Sequence, residues 1–307
     1  MDKAREAQKR KIIVFGANGF LGSVIVKKLS GAEYEVIAVV RPNSERSRLD
    51  GIKNLILLEI ESNNWPDIIL LIKPSAVLCA QWDGVSKLDR QNSGKQKSNI
   101  QPLVDLANMA KQVSVESFIC FGSQAECEEN KEIIPELFCD SGKTEYGLAK
   151  IRLHSELNTI FKYSDCRIVW ARIFSIYGPS DYSDSISFQL FECEASGQEL
   201  EILNASKPWS YLYEDDFAEA IVQILVNTKL TGVVNIGNPK LVEIRKIVDS
   251  WGGYLNVKFK ESDASQSKLG FFPEVKKLSA IRWSPEISIE EGIQRTKISI
   301  QERFSEK

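Results

Sequence analysis

Short runs rich in valine and isoleucine recur through the first half of the chain: "KIIVFGA" (11–17), "EVIAVVR" (35–41), "NLILLEI" (54–60), "SAVLCA" (75–80), "SFICFGS" (117–123) and "CRIVWARI" (166–173). Each is closed by turn residues, and none alternates cleanly between apolar and polar. A strand apolar along its whole length has no face to offer water and belongs inside a sheet covered on both sides. Between the runs lie helix-like stretches such as "FLGSVIVKKLS", "NIQPLVDLANMAKQ" and "EYGLAKIRLHSELNTIF". Strands alternating with helices predict an α/β fold, a doubly wound parallel sheet with helices on both faces.

The first strand runs straight into the first helix through "GANGFLG", with Gly16, Gly19 and Gly22 at the join. In a strand–turn–helix the first glycine permits the tight turn and the second lets a pyrophosphate approach the backbone. The third lets the helix pack close to the strand, and the helix N-terminus then faces the anion. Two residues separate each pair of glycines, wider in the first gap than the commoner dinucleotide fingerprint.

After "YGPS" at Tyr177–Ser180 the rhythm breaks. A helix near 185–197, one further buried strand in "GVVNIGN" (232–238), a helix in "LVEIRKIVDSWGG" and a last helix after "IRWSP" are expected. The expected organisation is a dinucleotide-binding domain over 1–178 with a returning segment at about 211–240. A smaller mixed lobe, formed by 179–210 and 241–307, carries the substrate.

The balance of charge excludes several functions. The 307 residues are 43% hydrophobic, enough for a sizeable core, and carry a net charge of -3 with no basic stripe, so nucleic acid is not an expected partner. The charged opening "MDKAREAQKRK" is followed by no apolar stretch long enough for a leader or a membrane span, and a cytoplasmic protein is expected. The six cysteines (79, 120, 127, 139, 166, 193) show no CxxC pair and read as reduced thiols. A single histidine, His154, leaves no multi-histidine metal site and is expected in a structural or surface role. Acid–base work must fall to another residue type.

"TEYGLAK" (144–150) offers one, with Tyr146 and Lys150 one helical turn apart. Such a pair is either two amphipathic side chains on an exposed helix face or a proton donor whose acidity is set by its neighbour. Together with the glycine turn, "SNIQPLVDLA", "FICFGSQAE", "ARIFSIYGP", "EDDFAEAI" and "IRWSPEISIEEGI", it decides the matter. The chain resembles, over nearly its whole length, the extended short-chain dehydrogenase/reductase family of nucleotide-sugar epimerases, dehydratases and ketoreductases, with a Rossmann-like fold.

The resemblance implies that Ser123, Tyr146 and Lys150 are catalytic. A free tyrosine has a pKa of about 10, and work near neutrality needs roughly three units less. Lys150 and an oxidised nicotinamide supply positive charge for that. Tyr146 gives its proton to a carbonyl oxygen that Ser123 holds by a hydrogen bond. Cofactor contacts are implied for Gly16, Asn18, Gly19, Phe20, Leu21, Gly22, Cys79, Ala80, Asn99, Tyr146, Lys150 and Ile173. Where NAD-binding members end the second strand with an acidic residue, this chain has Arg41, which suits a 2′-phosphate. NADP is therefore the expected cofactor, with NAD as the alternative. Glu59 or Glu61 stands where the adenine would come.

Dehydratases of the family follow the catalytic hydroxyl with an Asp-Glu pair, whereas Gln124 and Ala125 stand here and can act as neither acid nor base. The stretch from "ESNNWPDIILLIKPSAVLCAQWDG" to "SNIQP" looks most like the CDP-abequose and CDP-paratose synthase branch, which reduces a 4-keto group on a nucleotide-linked deoxysugar. Epimerization with NAD, reduction of a small ketone without a nucleotide, and cofactor binding without turnover are the other readings. Candidate substrate contacts are Trp82, Gln124, Ser175, Lys207 and Trp209. Trp209-Ser210-Tyr211 replaces the Arg-Asp-Phe of many relatives, so the arginine that grips a diphosphate there is missing, Lys207 being the nearest cation. The resemblance also implies a homodimer through helices at about 99–112 and 146–162.

Overall fold

The computed structural model describes residues 9–32, 34–127, 133–261 and 270–305. The opening segment set aside above as no leader lies, through residue 8, outside the described residues. The chain divides into two compact units, Met1–Phe121 with Arg152–Trp170, and Gly122–Ile151 with Ala171–Lys307.

In chain order the alternating part comprises β1 (Arg10–Phe15), α1 (Phe20–Ser30), β2 (Tyr34–Val40), β3 (Leu55–Glu59), α2 (Trp65–Ile72), β4 (Ala76–Cys79), α3 (Ser93–Ser98), α4 (Ile100–Gln112), β5 (Ser117–Ser123), α5 (Glu145–Phe161) and β6 (Arg167–Ile173). A seven-stranded sheet runs in the order Gly232–Ile236, β6, β5, β4, β1, β2, β3. β1 pairs in parallel with both β2 and β4, β2 with β3, and β4 with β5. The chain thus winds outward from β1 in one direction and returns to wind the other way from β4. Such a reversal opens a crevice at the carboxyl ends of β1 and β4, where sheets of this kind bind ligands. The expected α/β architecture is present.

Ile12 to Phe15 and Ala76 to Cys79 are buried, as all-apolar central strands must be. β3 departs from that pattern. It is the edge strand, and Ile56 and Leu57 are 43% and 36% exposed. An apolar run looks the same whether its strand is central or at the margin, so the sequence did not distinguish them. Helix boundaries follow local chemistry: Pro66 stands in the first turn of α2, where its missing N–H costs nothing, and Lys73 ends it with a left-handed φ of 48°.

The second unit adds helices Ile186–Ser196, Glu214–Val226, Ile244–Trp251 and Ile289–Ser305. Three two-stranded ribbons join them: Tyr211–Tyr213 with Ser175–Tyr177, Val242–Glu243 with Pro208–Trp209, and Val257–Lys260 with Leu200–Leu203. Their core gathers Tyr177, Phe188, Leu190, Ile202, Trp251 and Ile293. Asp216, the second aspartate of "EDDFAEAI", accepts from the N–H groups of Glu286 (3.1 Å) and Ile287 (3.0 Å) and so fixes the turn that launches the last helix.

One expectation is corrected. Cys127 and Cys139 form a disulfide, so the six cysteines are not all thiols. Their separation of 12 residues belongs to no short motif. The intervening loop is pinned at Ile134, whose N–H donates to Phe272 O (2.8 Å) and whose carbonyl accepts from Glu274 N (3.0 Å). That brings the two Cα atoms to 5.3 Å, within the span of a disulfide. Cys79, Cys120, Cys166 and Cys193 are buried and take no part in a disulfide. His154 is 2% exposed and stacks on Trp170 with ring centroids 4.4 Å apart, a structural role.

Candidate active site

In the first unit the three glycines are not equivalent. Gly16 has φ +75°, and a Cβ on it would stand 2.6 Å from the Cα of Gln81. A Cβ on Gly22 would stand 2.1 Å from the Gly16 carbonyl oxygen. Both positions are closed to any side chain by the protein itself. Gly19 has φ −71° and ψ 170°, ordinary extended backbone, and a Cβ there would meet only Gly16 O at 3.3 Å. The fold has far less need of glycine at 19 than at 16 or 22. Glycine at 19 leaves the backbone open to the approach of a ligand. α1 carries no capping side chain and no acidic residue in its first turn, which suits an anion at its N-terminus. The residues present therefore fit the diphosphate of a dinucleotide, with the backbone of Phe20, Leu21 and Gly22 at the helix start.

Around this turn several of the residues expected to touch the cofactor have partners within the chain. Asn18 Nδ2 donates to Glu45 O (2.8 Å), tying the loop after β2 to the glycine turn. Arg41 is the first residue after β2 and is exposed. Its carbonyl accepts from Ser44 Oγ at 2.6 Å. Arg46 is ion-paired with Glu59 at the end of β3, so those two side chains are committed to each other. Cys79 lies beside Phe15 in the sheet, and Ala80 N donates to Phe15 O (3.0 Å), which carries β4 alongside the glycine turn. Asn99 staples the loop that follows: its Oδ1 accepts from Asp83 N (2.7 Å) and its Nδ2 donates to Asp83 O (3.1 Å). Trp82 Nε1 donates to Gln96 Oε1 (2.8 Å), and Gln96 is fully buried. Sequence reasoning missed Gln96. Nothing marks a buried glutamine in a polar stretch such as "SGKQKSN".

In the second unit backbone contacts bring together the elements that carry Ser123, Tyr146 and Lys150, the residues expected to be catalytic. Ser123 ends β5 and caps the turn Gln124–Glu126: its Oγ accepts from Ala125 N (3.2 Å), and Glu126 Oε1 accepts from Ser123 N (2.5 Å). The spacing S-x-x-E of "SQAE" is the signature of this reciprocal cap. Thr144 starts the next helix, its Oγ1 accepting from Gly147 N (3.0 Å). A Cβ on Gly147 would stand 2.2 Å from Ala125 O, so the helix bearing Tyr146 lies directly on the serine turn.

Tyr146 is 8% exposed and Lys150 3%, with Lys150 Nζ 5.8 Å from the centre of the tyrosine ring. The exposed helix face is thereby excluded. A buried ammonium is costly to keep unless an electron-rich or negative group stands near it, and the Tyr146 ring is one neighbour of Lys150.

Gln124 has a buried Oε1 without a hydrogen-bond partner. Ile173 closes β6 and is 8% exposed, and Ser175 pairs with Tyr211 in the short parallel ribbon. Trp209 packs on Phe271 (centroids 5.6 Å apart) against the cluster of Cys127, Ile134, Cys139 and Phe174. Lys207 Nζ stands 4.9 Å from the centre of the Trp209 ring. Among the described residues no group of three or more His, Cys, Asp or Glu side chains is placed to hold a metal ion, and no helix is long and apolar enough to cross a membrane.

Comparison with known proteins agrees with this geometry. Residues 12–237 match the model of the NAD dependent epimerase/dehydratase family. Among curated proteins, an ADP-L-glycero-D-manno-heptose-6-epimerase of Brachyspira hyodysenteriae is 25% identical, over 76% of this chain and 79% of its own. A protein of Bacillus subtilis described as an uncharacterized UDP-glucose epimerase is 24% identical, over 92% and 95%. Among solved structures, the UDP-glucose 4-epimerase of Thermotoga maritima with UDP-glucose superposes with a TM-score of 0.83 at 21% identity, covering 96% of this chain and 99% of that one. The UDP-glucuronic acid 4-epimerase of Bacillus cereus in complex with NAD does so with a TM-score of 0.82 at 19% identity and the same coverage. The chain is an enzyme of the NAD dependent epimerase/dehydratase family.

Proposed function

We propose that this enzyme reduces the 4-keto group of a nucleotide-linked deoxyhexose with NADP as its cofactor. The observation that carries the reading is the burial of Tyr146 and Lys150 together on the helix that rests on the Ser123 turn. The bound nicotinamide dinucleotide supplies the hydride. Everything else is work for the chain's own side chains. The Tyr146 hydroxyl hands its proton to the carbonyl oxygen, and the Lys150 ammonium stabilises the negative charge left on the phenol oxygen. Ser123 already accepts from Ala125 N, so its remaining hydroxyl proton is available to donate to the same carbonyl oxygen.

Dehydration fits the site poorly. Gln124 and Ala125 carry no acid or base, and the next carboxylate along the chain, Glu126, is fully buried and bound to the Ser123 N–H and Arg172. A second reading, a nucleotide-sugar epimerase with NAD, is favoured by the names of the relatives. Both use the same serine, tyrosine and lysine. Absorbance of NADPH, followed with a panel of nucleotide-linked 4-ketohexoses, UDP-sugars and simple ketones, separates them. Stoichiometric oxidation with a keto-sugar supports reduction. Interconversion of UDP-sugars without net oxidation supports epimerization, oxidation by simple ketones alone supports the small-ketone reading, and tight binding without turnover leaves a binding protein.

The choice of NADP rests on Arg41 at the end of β2. The nucleotide handle rests on the resemblance, with Lys207 and Trp209 as the candidates for its recognition. We read the enzyme as a homodimer that pairs α4 and α5, which a sizing measurement tests. A cytoplasmic setting is part of the reading, and the Cys127–Cys139 bond weighs against it, because reducing compartments keep thiols reduced. A thiol count on protein isolated under alkylating conditions decides.

A further inference from the structure

Behind the serine turn, Glu126 and Arg172 form an ion pair with both side chains at 0% exposure. A pair so buried is a poor source of stability, since replacing both charges with apolar groups is often neutral or better. Its geometry is specific all the same. Glu126 Oε1 accepts from Ser123 N (2.5 Å), while Oε2 accepts from Arg172 Nε and Nη2, each at 3.3 Å. The other arginine donors hold the backbone around it: Nη1 reaches Pro135 O (3.1 Å) and Asn235 Oδ1 (3.3 Å), and Nη2 reaches Leu137 O (2.9 Å). Asn235 Nδ2 is itself fixed on Ile134 O and Glu274 O, both at 2.9 Å. The carboxylate cannot swing without breaking a network that spans β6, the strand Gly232–Ile236 and the loop after the serine turn.

We infer that the Glu126–Arg172 pair positions Ser123, fixing its backbone so that the hydroxyl proton meets the reacting oxygen. The inference rests on the catalytic reading of Ser123 given above. The pair touches no substrate; it acts on turnover through the serine alone. Arg172 serves by neutralising Glu126 and holding its oxygens in place. Burial lowers the Arg172 pKa, and the Glu126 charge opposes that shift.

A double-mutant cycle on kcat tests this. Glu126→Leu with Arg172→Met removes both charges together, so neither member of the pair is left behind as an unpaired ion. The expected result is a folded protein that binds NADPH as before, with kcat reduced about 10- to 100-fold, the scale of a small misplacement of a catalytic group. In a Ser123→Ala background the same pair of substitutions changes kcat less than about twofold, because the group it positions is gone. An equal loss in both backgrounds, or no loss in either, overturns the inference. Glu126→Gln, which keeps an acceptor for the serine N–H, provides a milder variant should the double replacement fail to fold. If the unaltered enzyme turns over no nucleotide sugar, the functional reading has failed, and hydrogen exchange still decides the inference. Faster exchange confined to the Ser123 and Ala125 amides in Glu126→Gln supports it, whereas uniform loss of protection or none contradicts it.

Discussion

Gly147 approaches the carbonyl oxygen of Ala125 so closely that a methyl group on it would stand 2.2 Å away. The contact joins the residue after Tyr146 to the second residue after Ser123, backbone against backbone, with no flexible side chain between them to yield. Gly147→Ala must therefore push the tyrosine helix off the serine turn. We expect a loss of about 1–3 kcal/mol in stability, as for overpacking elsewhere, and a fall in kcat of about 100-fold from displacing Tyr146, the proposed proton donor. Thermal unfolding and steady-state rates check both halves.

The glycine turn makes different predictions at neighbouring positions. Gly22→Ala collides with Gly16 O at 2.1 Å and lowers stability by about 1–3 kcal/mol. Gly19→Ala meets only one atom at 3.3 Å and should move Tm by less than about 2 °C. Its cost appears in the ligand: dinucleotide affinity falls at least about tenfold, read by calorimetry, because the backbone can no longer be approached.

Arg41 is exposed at the end of β2, whereas Arg46 is spent on Glu59. Arg41→Ala should raise the Kd for NADPH about 10- to 100-fold, the worth of a charge-assisted hydrogen bond, and leave NADH within about twofold. Equal effects on the two cofactors would remove the case for a 2′-phosphate contact.

Asp216 shows how a family motif serves the fold. Its carboxylate is 6% exposed and takes the N–H groups of Glu286 and Ile287. Asp216→Ala orphans both, and we expect a loss of about 2–4 kcal/mol with the dinucleotide affinity unchanged, measured by denaturant unfolding and calorimetry.

The parts of this molecule that sequence made legible are those written in contiguous residues. The β1–glycine–α1 join, the S-x-x-E cap at Ser123 and the Tyr146–Lys150 spacing each lie within one short stretch. The rest depends on pairing across distance. Ile56 and Leu57 look like core residues until the sheet order puts β3 at its edge. Cys127 and Cys139 meet where Ile134, between them, is bonded to a segment far along the chain. Glu126 and Arg172 stand 46 residues apart, and nothing near either one announces the other. Trp209 could not be read as stacking surface or as packing from its neighbours; it packs on Phe271, with Lys207 over its ring.

The central claim is that Tyr146 delivers the proton. Tyr146→Phe removes one oxygen from a ring that is already buried, so folding should be retained. The decisive measurement is single-turnover oxidation of bound NADPH by a nucleotide-linked 4-ketohexose in this variant. A rate reduced about 100- to 10,000-fold, with unchanged NADPH affinity, is the predicted result; turnover within about twofold of the unaltered enzyme would contradict it.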